Sequence, residues 1–451
     1  MLIKIRMSFQ ANEMDRFELA IDPESFLPRA LSDGELATDS VRQICEAVAG
    51  CDARSRIRDD AMNKGIQQFD YPFIVHSHLG WDWVWQRPQQ FFSRLSERHP
   101  TLFVEGPVPK PGLSAPEVEI REVTEFPNLV VLRMRMPQEK WEDGAWVDDQ
   151  RRILVKEVLA GPIGKRFESP VQWFYDPMAV TSFAGHMDER AIVFDCMDQL
   201  SQFRGAPDTL VERERQLLEM ADVVFAGGPK LGKQKKKSNP NTHTYGCGVD
   251  VNHFAQALSD KTVVPSDIAQ LEGPVFGYFG VVDERIDYEL LKRLADATPA
   301  GNIVIVGPWT KVDPASFPKR TNIHWLGGRD YDLLPSYARG FDVCLVPFAL
   351  NEATEYVNPT KVLEYMATGR PIVSTAIDDV VWQFDQVVKI GNSHDEFVRH
   401  CHAQAANPDT QAIQDGRELG ESHTWDAVVA NLERHVQDVL TADDESPFVA
   451  V

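Results

Sequence analysis

Cysteine is scarce in this sequence, with 6 in 451 residues and no C-x-x-C pair among them. Cys45, Cys51, Cys196, Cys247, Cys344 and Cys401 therefore argue against a disulfide framework or a zinc site, and favour a reducing cytoplasm. Long apolar runs are missing too: none approaches the ~20 residues of a membrane span. The start, Met1-Leu-Ile-Lys-Ile-Arg, is too short and too charged for a signal peptide. Positive charge is short, since 46 Lys and Arg face 68 Asp and Glu, for a formal net charge of -22. That balance excludes a nucleic-acid-binding surface over the whole molecule, because phosphates would be repelled. It leaves room for a local site that holds a small phosphorylated ligand. The expectation is a soluble intracellular protein.

What is present is the composition of a folded chain, 43% hydrophobic and 10% aromatic. The length exceeds one ordinary core and suits two domains. Residues 1–70 are rich in charge, with modest helical periodicity as in Val41–Val48, and read as a partly helical N-terminal extension of unknown role. From Tyr71 onward, short apolar runs alternate with amphipathic stretches. Phe73–Val75, Leu102–Val104, Leu129–Leu132, Val171–Tyr175, Ala191–Phe194 and Val223–Ala226 read as strands buried on both faces, as in a parallel sheet. After a break at 258–273 the alternation restarts with Val275–Phe279, Asn302–Val306, Ile323–Leu326, Val343–Val346 and Pro371–Ser374. The fold class is α/β: two Rossmann-like domains facing across a cleft, at 71–260 and 270–424, then a helix at 425–440 and a frayed tail at 441–451.

The segment from Phe341 to Thr375 says most about chemistry. A strand ends at Pro347, and a polar loop, Asn351–Val357, follows. Asn358 and Pro359 read as an N-cap and a first-turn proline for a helix over 360–368 that stops at Gly369. A helix N-terminus at the carboxyl edge of a sheet offers backbone N–H groups and a favourable dipole to an anion. Lys361 in the first turn ordinarily opposes that dipole, and an anion between them removes the conflict. Glu364 is placed to accept from sugar hydroxyls; a solvated helix glutamate is the plain alternative.

The run Lys361-Val-Leu-Glu-Tyr-Met-Ala-Thr-Gly-Arg-Pro-Ile-Val373 resembles the nucleotide-sugar signature of GT-B-fold retaining glycosyltransferases of the family 4 type, especially bacterial members that build cell-surface polysaccharides. Gly246–Phe254, Gly277-Tyr-Phe-Gly280, and Ile323–Gly327 with Leu333–Tyr337 resemble further elements of that family in the same order. The resemblance implies a glycosyltransferase that takes a nucleotide-diphosphate sugar of UDP or GDP type as co-substrate, with no other cofactor, and acts on a glycan or lipid-linked acceptor. It also implies a donor site at Gly280, Arg285, Asn358, Pro359, Thr360, Lys361, Glu364 and Glu352. There are departures. The first of the family's paired glutamates falls on Tyr356, with Glu355 one place off, and the usual Arg and Lys after the first strand of the second domain fall on Val281 and Ile286. Arg285 is the nearest substitute, with an ion pair as its rival role.

The block His76–Gln90 carries Trp81, Trp83 and Trp85, costly to leave in water unless they pack or bind. Trp81, Asp82, Trp85 and Arg87 are the acceptor-binding candidates, with a hydrophobic plug as the alternative. Related enzymes often carry a histidine before the aspartate at 198; here it is Met197. Asp195 and Asp198 therefore join Glu355 as catalytic candidates, and an N-cap role is open for Asp198. No metal is expected. Lys230, Lys233, Lys235, Lys236 and Lys237 form a dense positive cluster, either a solvated loop or a contact with anionic lipid at the inner face of the membrane. Two other readings stay open: a catalytically silent GT-B scaffold, and another GT-B chemistry such as an inverting transferase or sugar-nucleotide epimerase.

Overall fold

The computed structural model describes three strands near the N-terminus, Ile3–Ser8, Arg16–Ile21 and Pro28–Ala30, and residues 71–445 apart from 204 and 311. The Val41–Val48 segment and the last residues of the tail lie outside the described residues. The three N-terminal strands lie within the stretch read as a partly helical extension. Ile3, Ile5 and Met7 alternate with polar residues, as Phe17 and Leu19 do with Arg16 and Glu18, which is the period of a strand. The first two pair antiparallel, Ile3 opposite Ile21, and the first runs parallel to Glu117–Val123.

The chain divides into two compact units, one of Met1–Asp195, Thr209–Val224 and Glu433–Val451, the other of Cys196–Asp208 and Phe225–Leu432. The strands of the first run in the order Val223–Ala226, Ala191–Cys196, Val171–Phe174, Phe73–Ser77, Thr101–Glu105, Phe126–Pro137, Glu117–Val123. Phe73–Ser77 and Val171–Phe174 have no residue open to solvent, which explains why they are largely apolar and why their buried polar members His76 and Gln172 bond each other at 2.8 Å. Phe73, Phe92 and Trp173 meet edge to face beneath the sheet, with ring centroids 5.3–5.8 Å apart. The helix Arg87–Leu95 follows the first of these strands, opened by a reciprocal cap between Gln86 and Gln89.

The second unit holds a wholly parallel sheet ordered Ile323–Gly327, Asn302–Val306, Val275–Phe279, Val343–Val346, Ile372–Thr375, Lys389–Gly391. In chain order this is third, second, first, fourth, fifth, sixth. The strand order therefore reverses between Val275–Phe279 and Val343–Val346, and in open α/β sheets ligands bind outside the carboxyl ends at that point. Gly277 fits because a Cβ there would stand 2.1 Å from the Phe341 ring. The helix Tyr288–Ala297 starts where the Asp287 carboxylate accepts the Leu290 N–H at 2.8 Å, and it buries Leu290, Leu291 and Leu294. The last helix, Trp425–Glu445, continues past Thr441, where the sequence reading placed a frayed tail.

Candidate active site

At the switch point of the second unit, the first strand ends at Phe279 and Gly280 turns the chain with φ +143, a conformation that favours glycine. Lys361 projects from the first turn of the helix Lys361–Thr368 and lies against that glycine: a Cβ at 280 would be 2.0 Å from Lys361 Cε and 2.8 Å from Nζ. The Tyr365 hydroxyl accepts the Phe279 N–H at 3.0 Å, which fixes the helix to the strand end. Lys361 is half-buried, and among the described residues its ammonium has no ion pair or hydrogen bond. Burial pushes its pKa down, against the attraction of Glu364. Glu364, one turn on, is also half-buried, and burial pushes its carboxyl up while Lys361 pulls it back.

The helix starts at Lys361, with Thr360 in the cap position and no side-chain cap. This corrects the reading of Asn358 as N-cap: its amide donates to the Gly227 carbonyl at 3.0 Å and accepts from Gln383 at 3.3 Å. Pro359 stands before the helix, its carbonyl accepting the Val362 N–H. The N–H groups of Thr360 and Lys361 have no acceptor among the described residues, so two backbone donors sit beside the ammonium.

The loop after Gly280 is braced on both sides, by a bridge from Val282 to Trp309 and another from Ile286 to Phe348. Arg285 does not reach out alone. Its Nε and Nη2 donate to the Asp283 carboxylate at 2.9 and 2.7 Å, and its guanidinium lies 5.8 Å from the Phe348 ring and 6.0 Å from the Phe203 ring. Burial works against its charge, and Asp283, with Asp198 behind it, more than offsets that. The Leu200–Gln202 turn has Gln199, not Asp198, in the cap position. Glu352 is exposed on the next loop, where Asn351 and Thr354 cap each other. Glu355, exposed as well, lies 3.3 Å from Lys230 Nζ and accepts from Gln202 at 3.4 Å.

The first unit treats its candidates differently. Arg87 is 2% exposed and Asp195 0%, and Arg87 Nε donates to the carboxylate at 2.9 Å. Burial raises the Asp195 pKa and Arg87 pulls it back. Neither is open to a substrate, so the pair replaces the acceptor-binding role read for Arg87 and the catalytic role read for Asp195. Trp81 is the plug: 3% exposed, it packs edge to face on Phe103 and Phe126. Trp85 is 39% exposed, and Asp82 pairs with Arg121 at 2.7 Å and with Arg133. Of the lysine cluster, Lys235 is buried and donates to Gln199, and Lys230 pairs with Asp378 at 2.8 Å. Lys233, Lys236 and Lys237 stay exposed. A D-x-D triplet, Asp330-Tyr331-Asp332, follows the strand Ile323–Gly327 with both carboxylates exposed. Among the described residues, no three His, Cys, Asp or Glu gather in a way that could hold a metal ion.

The span that contains Gly280, Arg285, Asn358, Lys361 and Glu364 matches a known family, described as glycosyl transferases group 1, over residues 273–404. Those residues are a glycosyltransferase group 1 domain. This transferase domain covers the parallel sheet and the half-buried lysine, and leaves Trp81, Asp82 and Trp85 outside its limits. The chain is 22% identical over 271 residues to a Bacillus subtilis (strain 168) protein named "Putative teichuronic acid biosynthesis glycosyltransferase TuaH". That match covers 54% of the chain and 66% of the relative's length, just under two thirds. Among solved structures, the sucrose-phosphate synthase of Thermosynechococcus elongatus superposes with a TM-score of 0.63 at 16% identity, over 82% of this chain and 100% of that one. Anabaena HepE in complex with UDP and glucose superposes with a TM-score of 0.59 at 12% identity, over 82% of this chain and 100% of that one. The fold is GT-B.

Within the transferase domain, Asp283 and Tyr278 escaped the sequence reading. Asp283 is 6% exposed and holds Arg285 in place; the Tyr278 hydroxyl donates to the Val281 carbonyl at 3.0 Å and its ring centroid lies 6.0 Å from Lys361 Nζ. The spacing Asp283-x-Arg285 was the available signal for the first. Asp379 was missed as well: 1% exposed, it accepts the Lys230 N–H, and burial raises its carboxyl to about 6.

Proposed function

We propose that the chain transfers a sugar from a nucleoside-diphosphate sugar, of UDP or GDP type, to a glycan or lipid-linked acceptor, with retention of configuration and without a resident metal. One observation carries this reading. Lys361 is a half-buried ammonium with no hydrogen bond or ion pair among the described residues, held beside two backbone donors at the switch point of a parallel sheet. An isolated charge is expensive to remove from water, and a diphosphate compensates it. As the glycosidic bond breaks, negative charge grows on the leaving diphosphate, and preorganised donors stabilise it without reorganising. Arg285, already oriented by Asp283, adds a second cation. Glu364 accepts from the ribose, and Asp198 or Glu355 orients the acceptor. The donor phosphate on the same face takes the acceptor proton, which gives retention. UDP in the HepE structure and the teichuronic acid relative support the donor and acceptor classes.

Thermal shifts with UDP, GDP, ADP and dTDP test the donor site; no shift with any of them would remove the reading. Activity on the matching sugar nucleotide should survive EDTA. No helix among the described residues is long and apolar enough to cross a membrane, and we assign contact with anionic lipid to Lys233, Lys236 and Lys237. Salt-sensitive sedimentation with anionic vesicles, lost when all three become Glu, is the expected result; equal binding to neutral vesicles would contradict it. A silent scaffold is the second reading, favoured by Tyr356 at the glutamate position and by the Glu355–Lys230 pair. Nucleotide-sugar binding with no turnover or slow hydrolysis would support it.

A further inference from the structure

Inside the second unit, a cavity of about 360 Å³ lies at the Asn358-Pro359-Thr360 segment, bounded by His423 and the helix residue Ala427. Its volume falls within the roughly 300–1,000 Å³ range of small-molecule sites. The lining chemistry is selective. Thr244 and Thr360 supply hydroxyls and His423 an imidazole, beside the Asn358 and Gln383 amides that hold each other at 3.3 Å, and Leu363 and Phe384 add apolar surface. No Asp, Glu, Lys or Arg lines it, in a chain with 25% charged residues. A phosphorylated ligand would find no countercharge there, and burying an uncompensated charge is prohibitive. Amide and hydroxyl groups beside apolar faces match an uncharged sugar, whose hydroxyls ring an apolar face.

We propose that this cavity is a binding site for a neutral saccharide, separate from the diphosphate site at Lys361. It shares Asn358, Pro359 and Thr360 with the segment that leads into the Lys361 helix, so an occupant bears on the two free backbone donors there. The saccharide is either a free mono- or disaccharide or an internal stretch of a longer glycan, and chain length separates these sources.

The test is calorimetric titration of the full chain, with and without saturating UDP, using glucose, maltose, maltohexaose and glucose 6-phosphate as probes. The neutral probes are expected to bind and glucose 6-phosphate at least tenfold more weakly. Binding by glucose and maltose identifies the free sugar as the source, and binding by maltohexaose alone identifies a glycan segment. Ala427 is exposed on its helix and lines the cavity, so Ala427→Trp fills the space without entering the core. This variant should lose saccharide binding more than tenfold and keep wild-type UDP affinity. In the wild type, peptide mapping of alkylation at Cys247, a half-buried thiol on the cavity wall, should show protection by the neutral probe. Absence of binding by every neutral probe overturns the proposal, as does binding that survives Ala427→Trp with no protection of Cys247. Failure of UDP to bind would count against the donor-site reading alone.

Discussion

Each unit brings charged side chains to the carboxyl edge of its sheet, and the two edges handle them in opposite ways. In the first, Arg87 and Asp195 meet at 2.9 Å with side chains 1% and 0% exposed. In the second, Lys361 and Glu364 sit one helical turn apart, both half-buried, and Lys361 makes no ion pair among the described residues. A buried pair neutralises its own charges, whereas a cation held without a counter-ion among the described residues is incomplete until an anion arrives. Sequence position does not separate the two cases. Partner geometry does.

The largest expected effect comes from breaking the closed pair. Arg87→Met or Asp195→Leu alone leaves an uncompensated buried charge and should cost about 3–5 kcal/mol of stability in urea denaturation. The double variant removes both charges and should recover most of that loss. If the single variants stay as stable as wild type and lose activity instead, the pair is functional and the contrast fails.

His76 tests the same unit with a single neutral group. It is 1% exposed, stacked on Phe183 at 4.2 Å, with Nε2 at 2.8 Å from Gln172. Burial lowers its pKa from 6.5 to about 3. The folded state therefore favours the neutral ring. Its contribution is complete above about pH 6.5 and is lost as pH falls toward 3, at up to about 1.4 kcal/mol per pH unit. His76→Phe should flatten that part of the acid-side slope; an unchanged difference between wild type and variant from about pH 7 to 4 would refute it.

Lys361→Ala should weaken UDP binding by at least about tenfold, roughly 1.4 kcal/mol, and leave the melting temperature unchanged or higher, because it deletes a desolvated charge. The converse pattern, lost stability with intact affinity, would make Lys361 a structural residue like Arg87.

Much of this architecture was readable beforehand. Strands such as Phe73–Ser77 and Val275–Phe279 are buried along their whole length, so their apolar runs announce them. The N-terminal strands were missed because their alternation, Ile3 to Met7, is set among charged residues. Lys361 and Glu364 were legible because helix start, lysine and glutamate lie within a few residues. Partners distant in sequence were not. Arg87 and Asp195 are 108 residues apart, and the Gly227 carbonyl that claims the Asn358 amide is 131 residues away. Local pattern registers a polar residue at a helix start without registering what has already bound it.

Gly280 offers the smallest and most discriminating change. A Cβ there would press on the flexible end of Lys361 and stand 2.8 Å from the Tyr278 hydroxyl, at a φ of +143 that L-residues rarely adopt. Gly280→Ala should therefore introduce backbone strain of about 1–3 kcal/mol and push the ammonium aside, which lowers UDP affinity a few-fold, less than deletion of the lysine. If glycine acts by making room for Lys361, the effects on affinity cannot add: in a Lys361→Ala background, Gly280→Ala should change UDP binding hardly at all. A second full loss in the double variant would mean that the Gly280 backbone meets the ligand directly. The close approach at this glycine would then serve the nucleotide rather than the lysine.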